Sequence, residues 1–438
     1  MREPLLHQEA ALAYTLPRDR AAIYMEMRLG KSLVASRWIA AGEGPALIVS
    51  PLTTLLAWTR ELELEGVASV ILRGPSKQKL RSLDASPVDA VVLVNPEGVR
   101  ACPEILRARP FTSIVVDEST LLRNPRAKIT RTLRGSADVF PRRAILSGMP
   151  APEGPEDYVE QMLFVFDEFM GHKSFWAWRM EYMRPGAFGW EPRPSTASAV
   201  KRAVRELAFT MTTGQAGLGR TWIRERRCVE PSTIVRAAIR EARREWAIGD
   251  VETKWAIVVA SWLSQLAAGI VPGSDVFSPE KTREVVALAT GELRGKQMAV
   301  FCRYTREIVE TIKLLRRAGI AAARLDGSTP LERRGLVLDA FRGGDVRVVV
   351  VQQRCGRFAL DLSAADVAVF TSNEWSWETR AQCERRIEHP TKDRPLLVVD
   401  VVTRGTVDEA VLDVLSEKGR SARYFMQRVL ARVRERES

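Results

Sequence analysis

The sequence is poor in the residues that build metal centres, disulfide frameworks and histidine-based active sites. It contains five cysteines, and no two of them form a CxxC pair. An odd number of scattered cysteines predicts reduced thiols, without a zinc site or a disulfide framework. Only three histidines are present among the 438 residues. Hydrolysis at a histidine-ligated metal and catalysis by a Ser-His-Asp triad are therefore disfavoured.

Long apolar runs are also missing. The longest have the length of a strand, such as residues 346–351, whereas a membrane-spanning helix needs roughly 18 apolar residues. The first residues of the chain lack the apolar core of a secretory signal. We therefore expect a cytoplasmic protein that has no membrane partner.

Positive charge is what the chain has in excess. Lys and Arg number 66 against 54 Asp and Glu, which gives a net charge of +12 and predicts an acidic partner. Two segments carry most of this excess, residues 201–246 with net +6 and residues 418–438 with net +5. Each segment is either a solvated charged face or a surface for nucleic-acid phosphates, and the sequence leaves both interpretations open.

Short β-rich runs alternate with helical patterns in two parts of the chain. In the first part we predict strands over residues 21–27, 46–50, 90–95, 113–117 and 143–147, with helices over 31–41 and 55–65. In the second part we predict strands over residues 298–302, 322–325, 346–352, 367–371 and 396–402. This alternation is typical of βαβ units in a doubly wound parallel sheet.

The pattern predicts an α/β protein with four regions. Two doubly wound parallel-sheet lobes would occupy residues 1–155 and 291–417. A mostly helical insertion, rich in Trp and Arg, would lie between them over residues 156–290, and residues 418–438 would form a basic helix or tail. In the insertion Trp246, Trp255 and Trp262 are spaced as on a buried helix face, so we assign them to a core.

A candidate phosphate-binding loop lies between the first predicted strand and the first long helix. Residues 25–32 read Met-Glu-Met-Arg-Leu-Gly-Lys-Ser. In this context we expect backbone N–H groups around Arg28, Leu29 and Gly30 to bind a β-phosphate, Lys31 to reach β and γ oxygens, and Ser32 to hold Mg²⁺. The strict pattern has Gly where this chain has Met25, so a helix start with a chance Lys-Ser pair is the alternative.

An acidic pair, Asp117 and Glu118, closes the apolar strand at residues 113–117. At the end of a strand such a pair can divide its work, because Asp117 can reach Mg²⁺ while Glu118 orients and deprotonates the attacking water. By itself the pair could equally be a helix N-cap. The phosphate loop and the acidic pair occur in the right order and in the right structural context, which favours ATP hydrolysis.

Further short motifs follow one another along the chain. The first half has Leu5-Leu6-His7-Gln8, Ser50-Pro51-Leu52-Thr53-Thr54 followed by Trp58, the run at 117–124, and Leu146-Ser147-Gly148-Met149-Pro150. The second half has runs at 300–304, 325–329, 352–362 and 405–409, with Trp375 seven residues before Gln382. In residue type and in order these motifs resemble those of superfamily-two helicases and translocases, most of all the Swi/Snf-type branch.

The resemblance implies a fold and a function. It implies two RecA-like lobes that bind ATP and Mg²⁺, and an ATP-dependent translocase or helicase that moves along nucleic acid, with duplex DNA preferred. The core motor would be a monomer that can take accessory proteins, and its compact length suggests a phage or bacterial source. Three alternatives stay open: an unwinding helicase that acts on single-stranded DNA or on RNA, a weakly hydrolysing, ATP-sensing DNA clamp, and a small-molecule kinase with a phosphate loop. The kinase is the least favoured, because it would leave the second lobe and its motifs unexplained.

Residue roles follow from the same resemblance. Glu118, Asp117, Lys31 and Arg386 would be catalytic, and Gln8 would read the adenine edge. Further nucleotide contacts would come from Gly356, Asp361, Gln382, Arg385, Arg386 and His389. Nucleic acid would be contacted by Pro51, Thr53, Thr54, Arg303, Gly327, Ser328, Gln352, Arg354 and Arg357.

The chain departs from the family pattern at two places. Ser119-Thr120 stands where the family usually has Ala-His, and His389 stands where a second arginine contacts the γ-phosphate. Because an arginine finger contributes on the order of 10³ to 10⁵ in rate, this position decides how fast the ATPase can be. Arg386, Arg385 and His389 are the candidates, and we expect Arg386.

Overall fold

The structure is a computed structural model that describes residues 3–186, 189–218, 221–244, 247–248, 251–252, 256–356, 360–388 and 395–416. The chain forms two compact units, Met1–Gly219 and Arg220–Ser438. Each unit contains a parallel β-sheet flanked by helices, so the predicted α/β fold with two doubly wound lobes is confirmed. Within the described residues, no helix combines the length and the hydropathy that a membrane crossing needs.

The first unit is built from nine helices, nine strands and three short 3₁₀ turns within its described residues. The helices are α1 Leu6–Thr15, α2 Lys31–Ala40, α3 Leu55–Leu64, α4 Ser76–Asp84, α5 Pro96–Ala101, α6 Lys128–Arg134, α7 Asp157–Phe166, α8 Phe175–Tyr182 and α9 Thr196–Leu207. The strands are β1 Arg20–Met25, β2 Ala46–Val49, β3 Ser69–Ile71, β4 Val91–Val94, β5 Ser113–Val116, β6 Arg142–Leu146, β7 Met183–Gly186, β8 Gly189–Pro192 and β9 Ala208–Met211. The 3₁₀ turns are Pro103–Arg107, Ser119–Leu122 and Ala137–Val139.

Seven of these strands form one parallel sheet in the order β3-β4-β2-β5-β6-β1-β9. Side chains alternate between its faces: Ala21, Ile23 and Met25 of β1 pack into one buried cluster, and Ala22 and Tyr24 into the other. The order makes β2, β5, β6 and β1 consecutive neighbours. In a parallel sheet their carboxyl ends meet at one edge, which brings together the loops that follow them.

The second unit consists of eight helices and eight strands within its described residues. The helices are α10 Thr233–Arg244, α11 Ala256–Ala267, α12 Glu280–Thr290, α13 Thr305–Arg317, α14 Leu331–Gly343, α15 Gln353–Gly356, α16 Trp377–Arg385 and α17 Val407–Ser416. The strands are β10 Trp222–Val229, β11 Ala247–Ile248, β12 Val251–Glu252, β13 Met298–Cys302, β14 Ala322–Leu325, β15 Val348–Gln352, β16 Val367–Phe370 and β17 Leu396–Thr403.

Six strands of the second unit form a parallel sheet in the order β10-β17-β16-β13-β15-β14. Its central strands are buried on both faces, and the rings of Phe301 and Phe370 stack at 4.8 Å on one of them. Continuous runs of Val and other apolar residues are what a strand covered on both sides requires. This is why β13 coincides with the predicted strand; β14, the partly exposed edge strand, also matches its prediction.

The expected insertion over residues 156–290 is divided between the two units. β9 pairs with β1 at the edge of the first sheet, and β10 pairs along its whole length with β17 in the second. Strand order is a long-range property, so local patterning does not reveal either pairing. Trp262 is buried against α10 and α17, as expected, whereas Trp246, Trp255 and the basic tail at 418–438 lie outside the described residues.

Candidate functional site

The predicted phosphate loop connects the end of β1 to the first turn of α2. Arg28 and Gly30 have positive φ angles of 63° and 83°, and Gly30 is the N-cap residue of α2. Lys31 begins the helix, and its Nζ donates hydrogen bonds to the carbonyl oxygens of Met25 at 2.8 Å and Glu26 at 3.1 Å. The lysine therefore curls over its own loop, with the helix N-terminus of α2 behind it. A loop of this shape is suited to bind an anion.

Gln8 of α1 packs directly against the phosphate loop. Its Nε2 donates to the carbonyl of Leu29 at 3.3 Å, and His7 Nε2 lies 3.1 Å from the same oxygen. Any Cβ at position 30 would collide with Gln8 Nε2, so both the positive φ and this close approach require Gly30. The amide of Gln8 thus supports the loop, and its reading of adenine stays a prediction.

A second contact fixes the loop from the other side. Glu26 Oε2 accepts hydrogen bonds from Thr213 N at 3.0 Å and from Thr213 Oγ1 at 2.8 Å. Thr213 follows β9, the strand that pairs with β1. Glu26 therefore ties the phosphate loop to the edge of the sheet, and the sequence pattern gave no reason to connect it with a residue so distant in the chain.

Asp117 lies at the end of β5 and is buried, with 9% of its surface exposed. Its Oδ2 accepts from Ser50 Oγ at 2.8 Å and from Trp58 Nε1 at 2.9 Å, and its Oδ1 accepts from Glu118 N at 2.9 Å. Ser50 follows β2, and Thr54 Oγ1 lies 2.5 Å from Ser50 Oγ. The predicted metal ligand is therefore held by the same loop that carries the predicted nucleic-acid contacts Pro51, Thr53 and Thr54.

Glu118 adopts a left-handed backbone conformation, with φ 49° and ψ 57°. For a residue that has a Cβ, this conformation costs roughly 1–3 kcal/mol and persists only where the surroundings impose it. Such strain is concentrated at functional positions, which agrees with the role predicted for Glu118. The 3₁₀ turn Ser119–Leu122 follows at once.

The loop after β6 reaches the phosphate loop. A Cβ built on Gly148 would lie 3.5 Å from Lys31 Nζ and 3.2 Å from Met27 Cγ, so the two loops approach closely. The backbone N–H of Ser147 donates to Ile23 of β1 at 3.2 Å. The structure therefore brings the predicted motifs at residues 25–32, 117–118 and 146–150 to one edge of the first sheet.

One residue of this site was missed by sequence reasoning. Gln161 of α7 is completely buried, and its amide bonds to Ser119, which follows Glu118, and to Pro150, two residues after Gly148. Its sequence context is an ordinary amphipathic helix, where a glutamine signals nothing. Only its complete burial, visible once the helix is packed, points to a role.

In the second unit, three predicted nucleic-acid residues come together at the carboxyl ends of adjacent strands. Gln352, at the end of β15, accepts from Gly327 N at 3.2 Å through Oε1 and donates to Arg303 O at 3.5 Å through Nε2. Ser328 donates to Asp326 Oδ1 from both N, at 3.0 Å, and Oγ, at 2.6 Å. Although burial alone raises the pKa of Asp326, these donors hold it below the usual range.

A basic groove of about 620 Å³ lies beside this strand edge. Its lining includes Ser328 and four basic side chains, with no acidic residue: Lys313, Arg316, Arg324 and Arg333. Arg354 is largely exposed and forms an ion pair with Glu374 at 2.9 Å, while Arg303 stacks on the Trp375 ring at 4.8 Å. Arg303 and Arg354 both pair with Glu374, so the excess of positive charge is concentrated in the groove lining, which suits a polyanion.

The predicted nucleotide contacts of the second unit lie on or beside α16. Gln382 is buried and its Nε2 donates to Glu378 Oε1 at 3.2 Å, while its own Oε1 has no hydrogen-bond partner among the residues that the structure describes. Arg385 pairs with Glu388 at 2.9 Å, and Arg386 is the half-buried C-cap residue of the helix, whose carbonyl accepts from Leu362 N at 3.2 Å.

The remaining predicted contacts of this unit lie in or near the loop between β15 and β16. Gly356 ends α15, and Asp361 lies 3.8 Å from Arg342. Arg357 and His389 lie outside the described residues.

α16 is fixed by a network of charges. Arg380, almost completely buried, forms paired hydrogen bonds with Asp400 at 2.6 and 2.9 Å, and its Nε donates to Glu384 at 2.7 Å. Glu384 also accepts two bonds of 2.7 Å from Arg224 of β10. Although burial raises the pKa of Glu384, the two arginines hold it below the usual range. We call Arg224, Glu384, Arg380 and Asp400 the α16 charge network.

Comparison with known proteins agrees with this arrangement. Residues 7–211 match the SNF2-related domain, and residues 280–389 match the helicase conserved C-terminal domain. The chain is 23% identical over 435 residues to a Caenorhabditis elegans homologue of SWI/SNF-related matrix-associated actin-dependent regulator of chromatin subfamily A-like protein 1. That alignment covers 94% of this chain and 60% of the relative. The chain therefore belongs to the Swi/Snf-type branch of superfamily-two helicases and translocases.

Other relatives are similar over most of this chain. The Drosophila melanogaster protein of the same name is 23% identical, over 92% of this chain and 53% of its own length. Mouse DNA repair and recombination protein RAD54B is 21% identical, over 88% of this chain and 51% of its own length. The chain thus spans between half and three fifths of these relatives. A solved Sulfolobus solfataricus SWI2/SNF2 ATPase core in complex with dsDNA aligns with a TM-score of 0.45 and 16% identity, over 95% of this chain and 91% of that one.

Proposed function

We propose that this protein is an ATP-dependent DNA translocase that hydrolyses ATP as it moves along duplex DNA. One observation carries the proposal: the loops that hold Lys31, Asp117 with Glu118, and Gly148 meet at the carboxyl edge of one parallel sheet. Ligand sites of open α/β sheets lie at this edge. The family and the DNA-repair and chromatin names of the relatives support DNA as the partner.

The residues divide the chemistry among them. The backbone N–H groups at the start of α2 bind the β-phosphate, and Lys31 neutralises charge on the β and γ oxygens. Glu118 orients the attacking water and accepts its proton. Arg386 is our choice for the side chain that stabilises the transferring phosphoryl group, with Arg385 and His389 as the alternatives.

Mg²⁺ is the metal that the family implies, and the side chains available here fit it. Ser32 and Asp117 offer a hydroxyl and a carboxylate oxygen, which are the hard ligands that Mg²⁺ prefers. When bound, Mg²⁺ neutralises the phosphate oxygens and polarises the γ-phosphoryl group. Asp117 contributes by keeping its carboxylate in one orientation, since Ser50 and Trp58 both bind Oδ2.

The second unit supports a nucleic-acid track. The loop of Gly327 and Ser328 lies beside the basic groove, and Gln352 connects this loop to Arg303. Contacts from the basic side chains of the groove would go to the phosphate backbone and carry no base specificity. Binding through them should weaken as salt rises, because counterions are released when the phosphates are neutralised.

The test compares wild type with Glu118→Gln. The variant should bind ATP with unchanged affinity and lose about 10²–10⁴-fold in turnover, because it keeps the shape of the side chain but cannot accept a proton. Turnover by wild type is measured with no nucleic acid, duplex DNA, single-stranded DNA and RNA. Stimulation by duplex DNA above the other three is expected. Undiminished hydrolysis by Glu118→Gln would refute the assignment.

The same assay separates the alternatives. Greater stimulation by single-stranded DNA or RNA would favour an unwinding helicase. ATP binding without stimulated turnover, not rescued by His389→Arg, would favour an ATP-sensing clamp. Arg386→Ala and Arg385→Ala, compared at saturating ATP, identify the arginine that acts in hydrolysis, since its loss should lower turnover and leave ATP affinity nearly unchanged.

A further inference from the structure

Gln161 is a buried side chain that directs three of its four hydrogen bonds at the candidate ATP site and the fourth at its own helix. Its Oε1 accepts from Ser119 Oγ at 2.6 Å and from Tyr24 OH at 3.4 Å. Its Nε2 donates to the carbonyls of Pro150 and Asp157, both at 2.7 Å. The two carbonyls can only accept, so the amide orientation is determined. We call these four contacts the Gln161 bridge.

Three partners belong to different segments of the site. Tyr24 is in β1, one residue before Met25, whose carbonyl accepts from Lys31. Ser119 follows Glu118 directly and is completely buried. Pro150 lies two residues after Gly148, in the loop in which Gly148 approaches Lys31 Nζ. A single side chain thus touches the phosphate-loop strand, the acidic pair and the loop after β6.

The bridge also accounts for how Glu118 keeps its strained backbone. On one side, its N–H donates to Asp117 Oδ1 at 2.9 Å. On the other side, the next residue is fixed by the bond from Ser119 Oγ to Gln161. A residue without a hydroxyl at 119 could not donate this bond. The pair of Ser119 and Gln161 therefore fixes the backbone at the C-terminal side of the catalytic glutamate.

We propose that Gln161 is a positioning residue for ATP hydrolysis, which aligns Glu118 with the phosphate loop and with the loop after β6. This inference rests on the proposed function. Gln161 touches no reacting atom itself and acts through Ser119 and Pro150. It predicts that losing the bridge lowers the rate of the chemical step and leaves ATP affinity nearly unchanged, because ATP contacts are made by other residues.

Ser119→Ala tests the bridge most gently, since it removes one hydroxyl. Its turnover at saturating ATP should fall about tenfold, with ATP affinity within about threefold of wild type. The turnover of Gln161→Met should fall at least as far. The double variant Gln161→Met with Ser119→Ala should have a turnover only slightly lower than that of Gln161→Met, because both changes remove the same bond. Tyr24→Phe, which removes the longest of the four contacts, should have the smallest effect.

Thr15→Val is the matched control, because Thr15 is completely buried in α1 and its Oγ1 donates to Ala11 O at 2.6 Å. It should lower stability by an amount similar to Ser119→Ala and keep wild-type turnover. If Thr15→Val and Ser119→Ala lower turnover equally, the bridge is merely structural and the inference is overturned.

Gln161→Glu adds a pH readout. A protonated glutamic acid can both accept from Ser119 and donate to Pro150, whereas the carboxylate can only accept. Turnover of this variant relative to wild type should therefore rise as pH falls. A ratio that does not change with pH contradicts the proposal.

Amide hydrogen exchange gives a measurement that needs no hydrolysis. In Gln161→Met, exchange should quicken at residues 117–122 and at 147–151 together, and remain unchanged in β2 and α2. Unchanged protection of both segments overturns the inference even if the wild-type protein proves not to hydrolyse ATP. Wild type without turnover overturns the proposed function alone.

Discussion

The first unit holds its key carboxylate, Asp117, with uncharged donors, whereas the α16 charge network of the second unit holds two carboxylates with arginines. Asp117 accepts from a serine hydroxyl, a tryptophan indole and a backbone N–H, and within the described residues no cationic side chain bonds to it. Glu384 and Asp400 each accept two or more bonds from guanidinium groups. These carboxylates are similarly buried, but the groups that bond to Asp117 are uncharged and those that bond to Glu384 and Asp400 include cationic side chains.

The difference separates a site for chemistry from a structural network. A carboxylate bound by neutral donors is oriented and keeps its full negative charge, so a cation can still bind to it. A carboxylate between arginines is already neutralised, and breaking such a buried pair leaves an uncompensated charge. We therefore expect substitutions near Asp117 to change activity and substitutions in the α16 charge network to change stability.

The largest contrast should come from two lysines. Lys31→Met should lower ATP turnover by about 10²–10³-fold, since it removes a cation aimed at developing phosphate charge. Lys281 is buried and pairs with Asp408, so Lys281→Met should instead destabilise the fold by about 3–5 kcal/mol. Turnover and urea unfolding of both variants check this. A Lys31→Met protein that unfolds early, or a stable Lys281→Met protein, would contradict the comparison.

The next largest effect is expected from substitutions in the α16 charge network. Arg380→Met should cost about 3–5 kcal/mol in the free energy of unfolding, because Asp400 and Glu384 both lose their buried partner. Arg224→Met is the control, since about half of its side chain is exposed and Glu384 keeps Arg380. We expect that variant to lose about 1 kcal/mol or less. Equal losses in urea titrations would show that the network is not centred on Arg380.

The sequence predicted the sheets of both units closely. β13 and β14 match the predicted strands to the residue, and β2, β5 and β16 differ from them by one residue at one end. Except for the edge strand β14, these strands are buried along their length and lie as apolar runs between polar loops, so each is visible locally. The phosphate loop and the acidic pair were visible for the same reason, since each occupies a few consecutive residues at the end of a strand.

What the sequence did not reveal depends on long-range contacts. β9 and β10 are short or polar strands whose identity comes from pairing with β1 and β17. Gln161 bonds to Ser119 and Tyr24 across 42 and 137 positions of the chain, and Glu26 bonds to Thr213 across 187. No local period encodes such partners. Side chains that position a catalytic group are therefore harder to predict from the sequence than the catalytic group itself.

Asp157 extends the comparison to pH, because it is a buried carboxylate of the first unit whose pKa is raised into the neutral range. Burial raises its pKa to about 7; its bond from Glu153 N and the charge of Arg123 oppose the rise, whereas Glu156 and Glu153 add to it. A raised pKa means that the folded state binds the proton more tightly than the unfolded state. The stabilising contribution is therefore full below about pH 4 and is lost as pH rises toward about 7, at about 1.4 kcal/mol per pH unit.

Asp157→Asn should remove this pH dependence, since the amide stays neutral and its oxygen can still accept from Glu153 N and Gly154 N. Urea unfolding at pH 5, 6 and 7 measures the slope for both proteins. We expect the variant's curve to be flatter than that of wild type over this range. Parallel curves would mean that Asp157 titrates normally.

The smallest and most specific contrast comes from two serines that each donate to a buried carboxylate. Ser50 Oγ donates to Asp117 Oδ2 at 2.8 Å in the first unit, and Ser372 Oγ donates to Glu307 Oε2 at 2.6 Å in the second. Ser50→Ala leaves Asp117 with Trp58 and Glu118 N, so folding should lose only about 1 kcal/mol. The Mg²⁺ concentration for half-maximal turnover should nevertheless rise about tenfold, as is usual when a group that orients a metal ligand is lost.

Ser372→Ala should change stability and leave the Mg²⁺ dependence of turnover as it is in wild type. Glu307 is buried, and Ser372 Oγ, which donates to it, also accepts from Arg303 N at 2.7 Å. Losing the hydroxyl should therefore cost about 1–3 kcal/mol of stability and leave the Mg²⁺ dependence unchanged. Magnesium titrations of turnover and urea unfolding of both variants show whether each serine affects Mg²⁺ dependence or stability. If Ser372→Ala shifted the Mg²⁺ requirement as far as Ser50→Ala does, the effect of Ser50 on metal binding would not be specific to Asp117.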